Sequence, residues 1–256
     1  MGPGDGAPTG RDDVHRSVEP PPDRPVGPRE HPAGLDHPLG APAPLPRRPL
    51  YGVLALALGA VAAVSSAFVG VGPAAVDQLV LGQAIDARSG PLTAIAVAVT
   101  EVGSTATMGV LAALVTLVLL VRSRPYDALF VAVTAVGASL VFSGLKRLLD
   151  RARPPLDDQL VGAANESLPS GHATMAVAVI GSLVVLAWVG QSAATRVAMV
   201  VGAALWVGAV GLTRVYLGVH WFSDVLAGWL VGGAWLALCA MVWATASARR
   251  RATADG

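Results

Sequence analysis

The chain has 256 residues, of which 54% are hydrophobic and only 14% are charged. A soluble domain would carry about 25% charged residues, so this composition indicates a polytopic membrane protein, each of whose spans needs about 20 mainly apolar residues. The formal net charge of +1 says nothing about partners, but no basic cluster is large enough to predict nucleic acid as a partner. The single cysteine, Cys239, excludes an intrachain disulfide.

Residues 1–49 differ in composition from the rest of the chain. They hold 13 of its 19 prolines and almost no large apolar residue. Such a segment cannot bury enough surface to offset its chain entropy. We therefore predict a disordered, proline-rich cytoplasmic tail at 1–49.

Six apolar segments with approximate ends follow this tail. They lie near Leu50–Val71, Gly103–Val121, Ala128–Leu145, Ala173–Val189, Val197–Val215 and Trp221–Trp243. Each is long and apolar enough to predict a membrane-spanning helix. We therefore expect an all-α fold, with a bundle of six transmembrane helices in a membrane domain at 50–247 and a short basic cytoplasmic tail at 248–256.

The segment between the first two spans is apolar but interrupted. The interruptions are Asp77, Asp86, Arg88, Pro91 and Glu101. This pattern predicts interfacial helices that lie along the membrane rather than a further span.

The placement of arginine predicts the orientation of the spans. The arginines that flank them on one side are Arg47, Arg48, Arg122, Arg124, Arg196, Arg249, Arg250 and Arg251. Because positive charge favours the cytoplasm, both termini should be cytoplasmic in a multi-pass protein of the plasma membrane. The ends of spans one, three and five then face outward, and three polar clusters lie on that side.

The first cluster, "KRLLDRARPP" at 146–155, follows span three. Its cations are Lys146, Arg147, Arg151 and Arg153. Lys146, Asp150 and Arg153 have the spacing of one helix face, on which Asp150 would align a cation before Pro154 ends the helix. The cluster is either a set of snorkelling cations that bind lipid headgroups or a site for the separated oxygens of a phosphate.

The second cluster is "SGH" at 170–172, at the start of span four. Ser170 is a good helix N-cap, and Gly171 lets an external group approach the backbone closely. The free N–H groups and the dipole of a helix N-terminus bind anions, which would place His172 beside the anion. Ordinary helix capping also explains the serine and the glycine.

The third cluster lies in "TRVYLGVHWFSDVLAGW" at 213–229 and contains Arg214, His220 and Asp224. His220 and Asp224 are four residues apart, so on a helix they would lie one turn apart. A carboxylate beside an imidazole fixes its tautomer and leaves the other nitrogen free to attack or to move protons. The alternative is a hydrogen-bonded structural pair at the membrane edge.

No metal or cofactor is expected. Asp157 and Asp158 are adjacent, and such a pair is more often solvated surface than a magnesium site; no Cys/His spacing suggests zinc. Taken together, the three clusters predict metal-free phosphoryl transfer through a histidine.

The three motifs, in this order, resemble the phosphatidic-acid phosphatase type 2 superfamily of membrane lipid phosphatases. The family reads Lys-x6-Arg-Pro, then Pro-Ser-Gly-His, then Ser-Arg-x5-His-x3-Asp, and here Thr213 replaces the usual serine. The resemblance covers about residues 50–245. It implies that His220 is a nucleophile oriented by Asp224 and that His172 is the acid that later activates water. The phosphate binders that it implies are Lys146, Arg153, Ser170, Gly171 and Arg214.

The resemblance implies that the substrate is a lipid phosphate or diphosphate in the membrane. Phosphatidic acid, phosphatidylglycerol phosphate and undecaprenyl diphosphate are representative of the family, and the phosphate-binding motifs do not choose among lipid tails. Two alternatives stay open. One is a phosphotransferase that passes the phosphate to an alcohol, and the other is a non-catalytic lipid-phosphate binder or transporter.

Overall fold

The computed structural model describes residues 47–254, with side chains from 49 to 250. Every regular element in this range is helical. The helices are α1 (Arg47–Val69), α2 (Asp77–Asp86), α3 (Gly90–Val102), α4 (Thr105–Val121), α5 (Pro125–Leu149), α6 (Gly171–Ala187), α7 (Ala193–Tyr216) and α8 (Phe222–Ala254), with short 3-10 turns at Gly72–Val76 and Leu156–Asp158. The predicted tail at 1–49 lies outside the described residues except for 47–49, which begin α1.

The prediction of an all-helical membrane protein is confirmed. Within the described residues, α1, α5, α7 and α8 are each long and apolar enough to cross a membrane. The helices α3 and α4 make a fifth span if they are counted together across a bend of 41°. Helix α6 is apolar but has only 17 residues. The count by length and composition is therefore four or five, and six spans stay a prediction.

Helix α8 is central to the bundle and packs against α1, α5 and α6. Two glycines one turn apart, Gly228 and Gly232, allow the backbone of α6 to approach it. A Cβ atom at Gly228 would lie 2.7 Å from the carbonyl oxygen of Ser170, and one at Gly232 would lie 2.7 Å from that of Thr174. Small residues four apart are a common means of close helix packing in membranes. They fix the start of α6 against the first turns of α8.

Helix α5 ends earlier than the sequence predicts. Asp150 adopts a left-handed conformation with φ of 43°, and its N–H donates to the carbonyl of Lys146 at 3.0 Å. Aspartate tolerates this conformation better than most residues, so the chain leaves the helix before Pro154 can end it. The prediction that Lys146, Asp150 and Arg153 share a helix face is therefore wrong.

Four helix ends meet on one side of the bundle. They are the C-termini of α5 and α7 and the N-termini of α6 and α8, joined by the contacts described below. The last turns of α1 reach the same end, where Ala63 packs with the buried Leu168 and Ala227. Because these helix ends carry the three predicted polar clusters, the fold brings the clusters together.

Candidate active site

The N-terminus of α6 carries the "SGH" residues. Ser170 is the N-cap residue, as predicted, but its side chain makes no capping hydrogen bond. Its backbone N–H instead donates to the carbonyl of Asp224 at 3.0 Å. The Ser170 hydroxyl oxygen is buried and has no hydrogen-bond partner among the described residues. The residue thus joins α6 to α8 through its backbone and keeps its hydroxyl available.

Gly171 has a packing role in addition to the one that the sequence suggests. A Cβ atom there would lie 3.0 Å from the ring of Phe142 on α5, so the glycine lets this ring approach the start of α6. The next residue, His172, is only partly exposed and lies within electrostatic reach of residues from both other clusters. These are Arg214, His220, Arg153 and Lys146.

His220 and Asp224 form the predicted pair, but not on one helix. His220 lies in the turn before α8, which begins at Phe222. The distance between His220 Nδ1 and Asp224 Oδ2 is 3.4 Å, and both side chains are buried. His220 Nε2 lies 3.3 Å from Arg153 Nη1. One ring nitrogen thus faces a carboxylate and the other faces a cation.

The electrostatics of this turn favour a neutral imidazole. Burial lowers the pKa of His220 to about 3; Asp224 opposes this effect, whereas Arg153 and Lys146 add to it. Burial likewise lowers the pKa of Arg153, against the opposing charges of Asp224 and Glu166. At neutral pH His220 therefore carries a lone pair on one nitrogen, as a nucleophile needs.

Asp224 is held from several directions at the start of α8. Its Oδ2 accepts a hydrogen bond from the backbone N–H of Trp221 at 2.9 Å. An acidic residue at the third position of a helix commonly accepts this bond from the residue that caps the helix. The same oxygen accepts the buried hydroxyl of Ser167. Its Oδ1 accepts a hydrogen bond from Arg151 Nη1. The carboxylate that faces His220 therefore has little freedom to move.

Two of the four cations of the first cluster, Lys146 and Arg153, meet although they do not share a helix. Lys146, buried at the end of α5, donates to the carbonyl of Glu166 and, at 3.3 Å, to that of Ser167. Arg153 Nη2 donates to the same Glu166 carbonyl at 3.2 Å and to Asn165 Oδ1 at 2.8 Å. The 165–167 loop therefore gathers both cations next to His220.

Arg214 comes to the site from α7. Its Nη1 donates to the hydroxyl of Thr100 on α3 at 2.6 Å, whereas its buried Nε has no partner among the described residues. Thr213, which stands where the family has serine, donates its hydroxyl to the carbonyl of Val210 at 2.7 Å. That hydroxyl is bound to its own helix.

The turn that carries His220 is fastened from outside. Arg88 donates to the carbonyls of Asp158 and Tyr216 at 2.7 and 3.0 Å. Gly218 has φ of 74°, and a Cβ atom there would lie 2.0 Å from the Asp158 carbonyl oxygen. Only glycine permits this conformation at such a close approach.

Sequence reasoning gave no supporting role to the residues that hold this site in place, although Arg151 was named as one cation of the first cluster. These residues are Asp77, Arg88, Thr100, Arg151, Ser167 and Ser223. Asp77 gave a usable signal, because an acidic residue in an apolar segment is costly unless it is paired or functional. Thr100 and Ser167 gave none, since hydroxyl residues are common in such segments.

Within the described residues, no group of three or more His, Cys, Asp or Glu side chains is placed to hold a metal ion.

Comparison with known proteins finds a family match over part of the chain. Residues 127–248 match the PAP2 superfamily, which confirms the resemblance predicted from the three motifs. A lipid A 1-phosphatase from Rhizobium etli is 35% identical over 135 residues, which are 46% of this chain and 53% of that protein. The match thus spans about half the length of this curated relative.

Two solved structures share the fold. A transmembrane PAP2-type phosphatidylglycerolphosphate phosphatase from Bacillus subtilis superposes with a TM-score of 0.65 at 23% identity, over 74% of this chain and 94% of that one. LpxE from Aquifex aeolicus gives a TM-score of 0.51 at 20% identity, over 66% of this chain and 94% of that one.

Proposed function

We propose that this chain, whose residues 127–248 belong to the PAP2 superfamily, is an integral membrane lipid phosphatase that works through a phosphohistidine. The observation that carries the proposal is the placement of His220. Its Nδ1 faces Asp224 at 3.4 Å, and its Nε2 faces the Arg153 guanidinium at 3.3 Å. A neutral imidazole so oriented directs a lone pair toward the cations that would hold a phosphate.

Phosphate binding is supported by donors that the protein itself leaves unused. The Ser170 hydroxyl and Arg214 Nε are buried without a partner in the described part of the chain. The N-terminus of α6 at Gly171 adds backbone N–H groups and the positive end of a helix dipole. With Lys146 and Arg153, these groups surround a phosphate with positive charge as negative charge develops in the transition state.

In the first step, His220 Nε2 attacks phosphorus and the bond between phosphorus and the lipid oxygen breaks. Burial and the neighbouring cations lower the pKa of His172 to about 3. The negative charge of the bound phosphate opposes this shift and favours the protonated form that the step needs. His172 then donates its proton to the departing oxygen, and the lipid leaves as an alcohol. Asp224 stabilises the positive charge that His220 acquires on phosphorylation.

In the second step, water attacks the phosphorus of the phosphohistidine. His172 takes a proton from this water, which restores the imidazolium form, and the bond between phosphorus and Nε2 breaks. Inorganic phosphate leaves, and His220 returns to its neutral form. The three motifs identify these histidines, and the roles given to them are proposed.

The substrate in this proposal is a lipid phosphate monoester or diphosphate of the phosphatidic acid, phosphatidylglycerol phosphate or undecaprenyl diphosphate type. The relative from Rhizobium etli is named for a lipid phosphate, the 1-phosphate of lipid A. The direct test measures inorganic phosphate released from a panel of lipid phosphates by detergent-solubilised protein. Release by the parent protein and none by His220→Ala supports the proposal. No release from any lipid phosphate or diphosphate would refute it.

An alcohol added to the same assay separates hydrolysis from transfer. A hydrolase keeps releasing inorganic phosphate, whereas a phosphotransferase forms the phosphorylated alcohol instead. Because the proposal gives His172 the role of activating water, we expect inorganic phosphate as the main product.

The proposed orientation has six spans in the plasma membrane, with cytoplasmic termini and an extracytoplasmic site. Single cysteines introduced into Cys239→Ala protein and labelled from outside should react in the 156–166 loop and not at 190–195. The opposite labelling pattern would reverse the topology.

A further inference from the structure

Three charges that are buried or nearly so form a chain that begins next to His220. Arg151 Nη1 contacts Asp224 Oδ1, and Arg151 Nη2 lies 2.9 Å from Asp77 Oδ2. The side chains of Asp77, Arg151 and Asp224 are only 5%, 14% and 0% exposed. The planar fork of one guanidinium therefore joins two carboxylates that come from α2 and α8.

Asp77 is tied to the first turn of α8 by further bonds. Its Oδ1 accepts the backbone N–H of Ser223 at 2.8 Å, and its Oδ2 accepts the Ser223 hydroxyl at 2.6 Å. The first N–H groups of a helix lack partners in their own helix. Asp77 thus serves as a remote cap for the helix that carries Asp224.

Arg151 is also enclosed on its outer side. Its guanidinium carbon lies 5.9 Å from the centre of the Trp221 ring, and Trp221 Nε1 donates to the carbonyl of Ala152 at 3.0 Å. Trp221 is the neighbour of His220 in sequence. The arginine is therefore held by the same turn that carries the nucleophile.

Stability alone gives a weak reason for such an arrangement. The desolvation of buried charges often exceeds the gain from their attraction, and apolar residues of similar size can be as stable. What the arrangement supplies is a fixed carboxylate whose charge is already balanced.

We propose that Arg151 and Asp77 are positioning residues for phosphoryl transfer: Arg151 holds and balances the Asp224 carboxylate so that His220 stays unprotonated, and Asp77 anchors Arg151. This inference rests on the proposed role of His220 as nucleophile. Neither residue is assigned a contact with the substrate.

The protonation of His220 depends on all the charged and polar groups that face it. The groups are Asp224 from α8, Lys146 from α5, Arg153 from the following loop and His172 from α6, with the Ser167 hydroxyl 3.4 Å from Nδ1. Asp224 is the acidic member that favours a proton on His220. Without Arg151, this carboxylate would act on the imidazole with less of its charge balanced, and the pKa of His220 would rise.

The test compares Arg151→Gln, Arg151→Lys and Asp77→Asn with the parent protein. Arg147→Gln is the matched control, because it removes a cation from the same segment at an exposed position. The first quantity measured is p-nitrophenol released from p-nitrophenyl phosphate in a single turnover, as a ratio of variant to parent from pH 4.5 to 8. Taking the ratio cancels the ionisation of the substrate. The second is the steady-state kcat and KM of each variant on the same substrate at neutral pH.

For Arg151→Gln we expect a loss of up to about 100-fold at neutral pH, the cost of misplacing a reacting group by about 1 Å. The ratio should fall further in acid, because removing a charge partner shifts a pKa by about 1 to 3 units. Arg151→Lys should react more slowly than the parent at every pH, since a single ammonium does not bridge both carboxylates. Its ratio to the parent should not fall further in acid, because the positive charge is kept. Asp77→Asn should lower kcat with KM unchanged, and Arg147→Gln should match the parent.

A ratio for Arg151→Gln that is flat with pH and equal to that of Arg151→Lys would overturn the charge role. Parental kcat in Asp77→Asn would overturn the anchoring role. Arg151→Gln could be uninformative if its melting temperature shows that it does not fold. In that case a ratio for Arg151→Lys that falls in acid would overturn the charge role, and the kcat of Asp77→Asn tests the anchoring role as before. Failure of the underlying function looks different, because His220→Ala would then still release p-nitrophenol.

Discussion

The first turn of α8 and the start of α6 differ in how fully their polar groups are satisfied. At α8, the Asp224 carboxylate accepts hydrogen bonds from Trp221, Ser167 and Arg151. At the start of α6, the buried Ser170 hydroxyl has no partner in the described part of the chain, and neither has the buried Nε of Arg214 on α7. The carboxylate beside His220 is thus held in one geometry, whereas the start of α6 keeps a hydroxyl donor available. This division suits the covalent phosphoryl transfer that we propose.

The largest effect should come from replacing His172, which distinguishes its role from that of His220. His172→Ala should lose about 10²- to 10⁴-fold on a lipid monophosphate, the usual contribution of general acid catalysis, because a lipid alkoxide leaves poorly without a proton. On p-nitrophenyl phosphate, whose leaving group departs as an anion, the loss in the phosphorylation step should be much smaller. Single-turnover release of p-nitrophenol is the quantity to measure. Equal losses with both leaving groups would remove the acid role of His172.

A smaller effect should come from Ser170, on the side with free donors. Ser170→Ala removes one hydroxyl donor, and loss of one transition-state donor costs about 10²- to 10³-fold in kcat in a well-studied case. The matched control is Ser182→Ala on the same helix, where the hydroxyl is buried but bound to the carbonyl of Val179. The kcat of both variants on a lipid phosphate tests this contrast. A parental rate for Ser170→Ala would mean that its hydroxyl does not bind the phosphate.

The smallest effect should come from chelation. Lys146, Arg153, Arg214 and the backbone N–H groups of α6 supply the positive charge that a phosphate needs, so we expect full activity in EDTA. Vanadate, which mimics a phosphate in transfer, should inhibit. Activity that is lost in chelator and restored by magnesium would assign the stabilising charge to a metal instead.

The sequence predicts the class of fold and the polar clusters that meet in it better than it predicts the local geometry of those clusters. Long apolar runs and three spaced motifs are local patterns, so they can be read along the chain. The geometry at Asp150 was wrong, because a left-handed residue after Leu149 ends α5 before the prolines can. His220 was also predicted on a helix, but it lies in the turn before α8, which begins at Phe222.

The support of the site could not be read from local spacing. Asp77 and Arg151 are 74 positions apart, and Thr100 and Arg214 are 114 apart. Contacts over such separations depend on how the helices pack, and Gly228 and Gly232 show that this packing is set by close backbone approach. A single charge in an apolar segment indicates that a partner exists but does not name it.

The central claim is that His220 becomes phosphorylated during turnover. The direct measurement is to react His172→Ala protein with p-nitrophenyl phosphate that carries a radiolabel in its phosphate, quench it and locate the label. The leaving group of this substrate needs no proton, so the variant should form the phosphoenzyme, and without His172 it should hydrolyse it slowly. The account predicts acid-labile, base-stable label on the peptide that contains His220, and no label in the double variant with His220→Ala. Label on another residue, or lipid phosphate hydrolysis at the parental rate by His220→Ala, would contradict it.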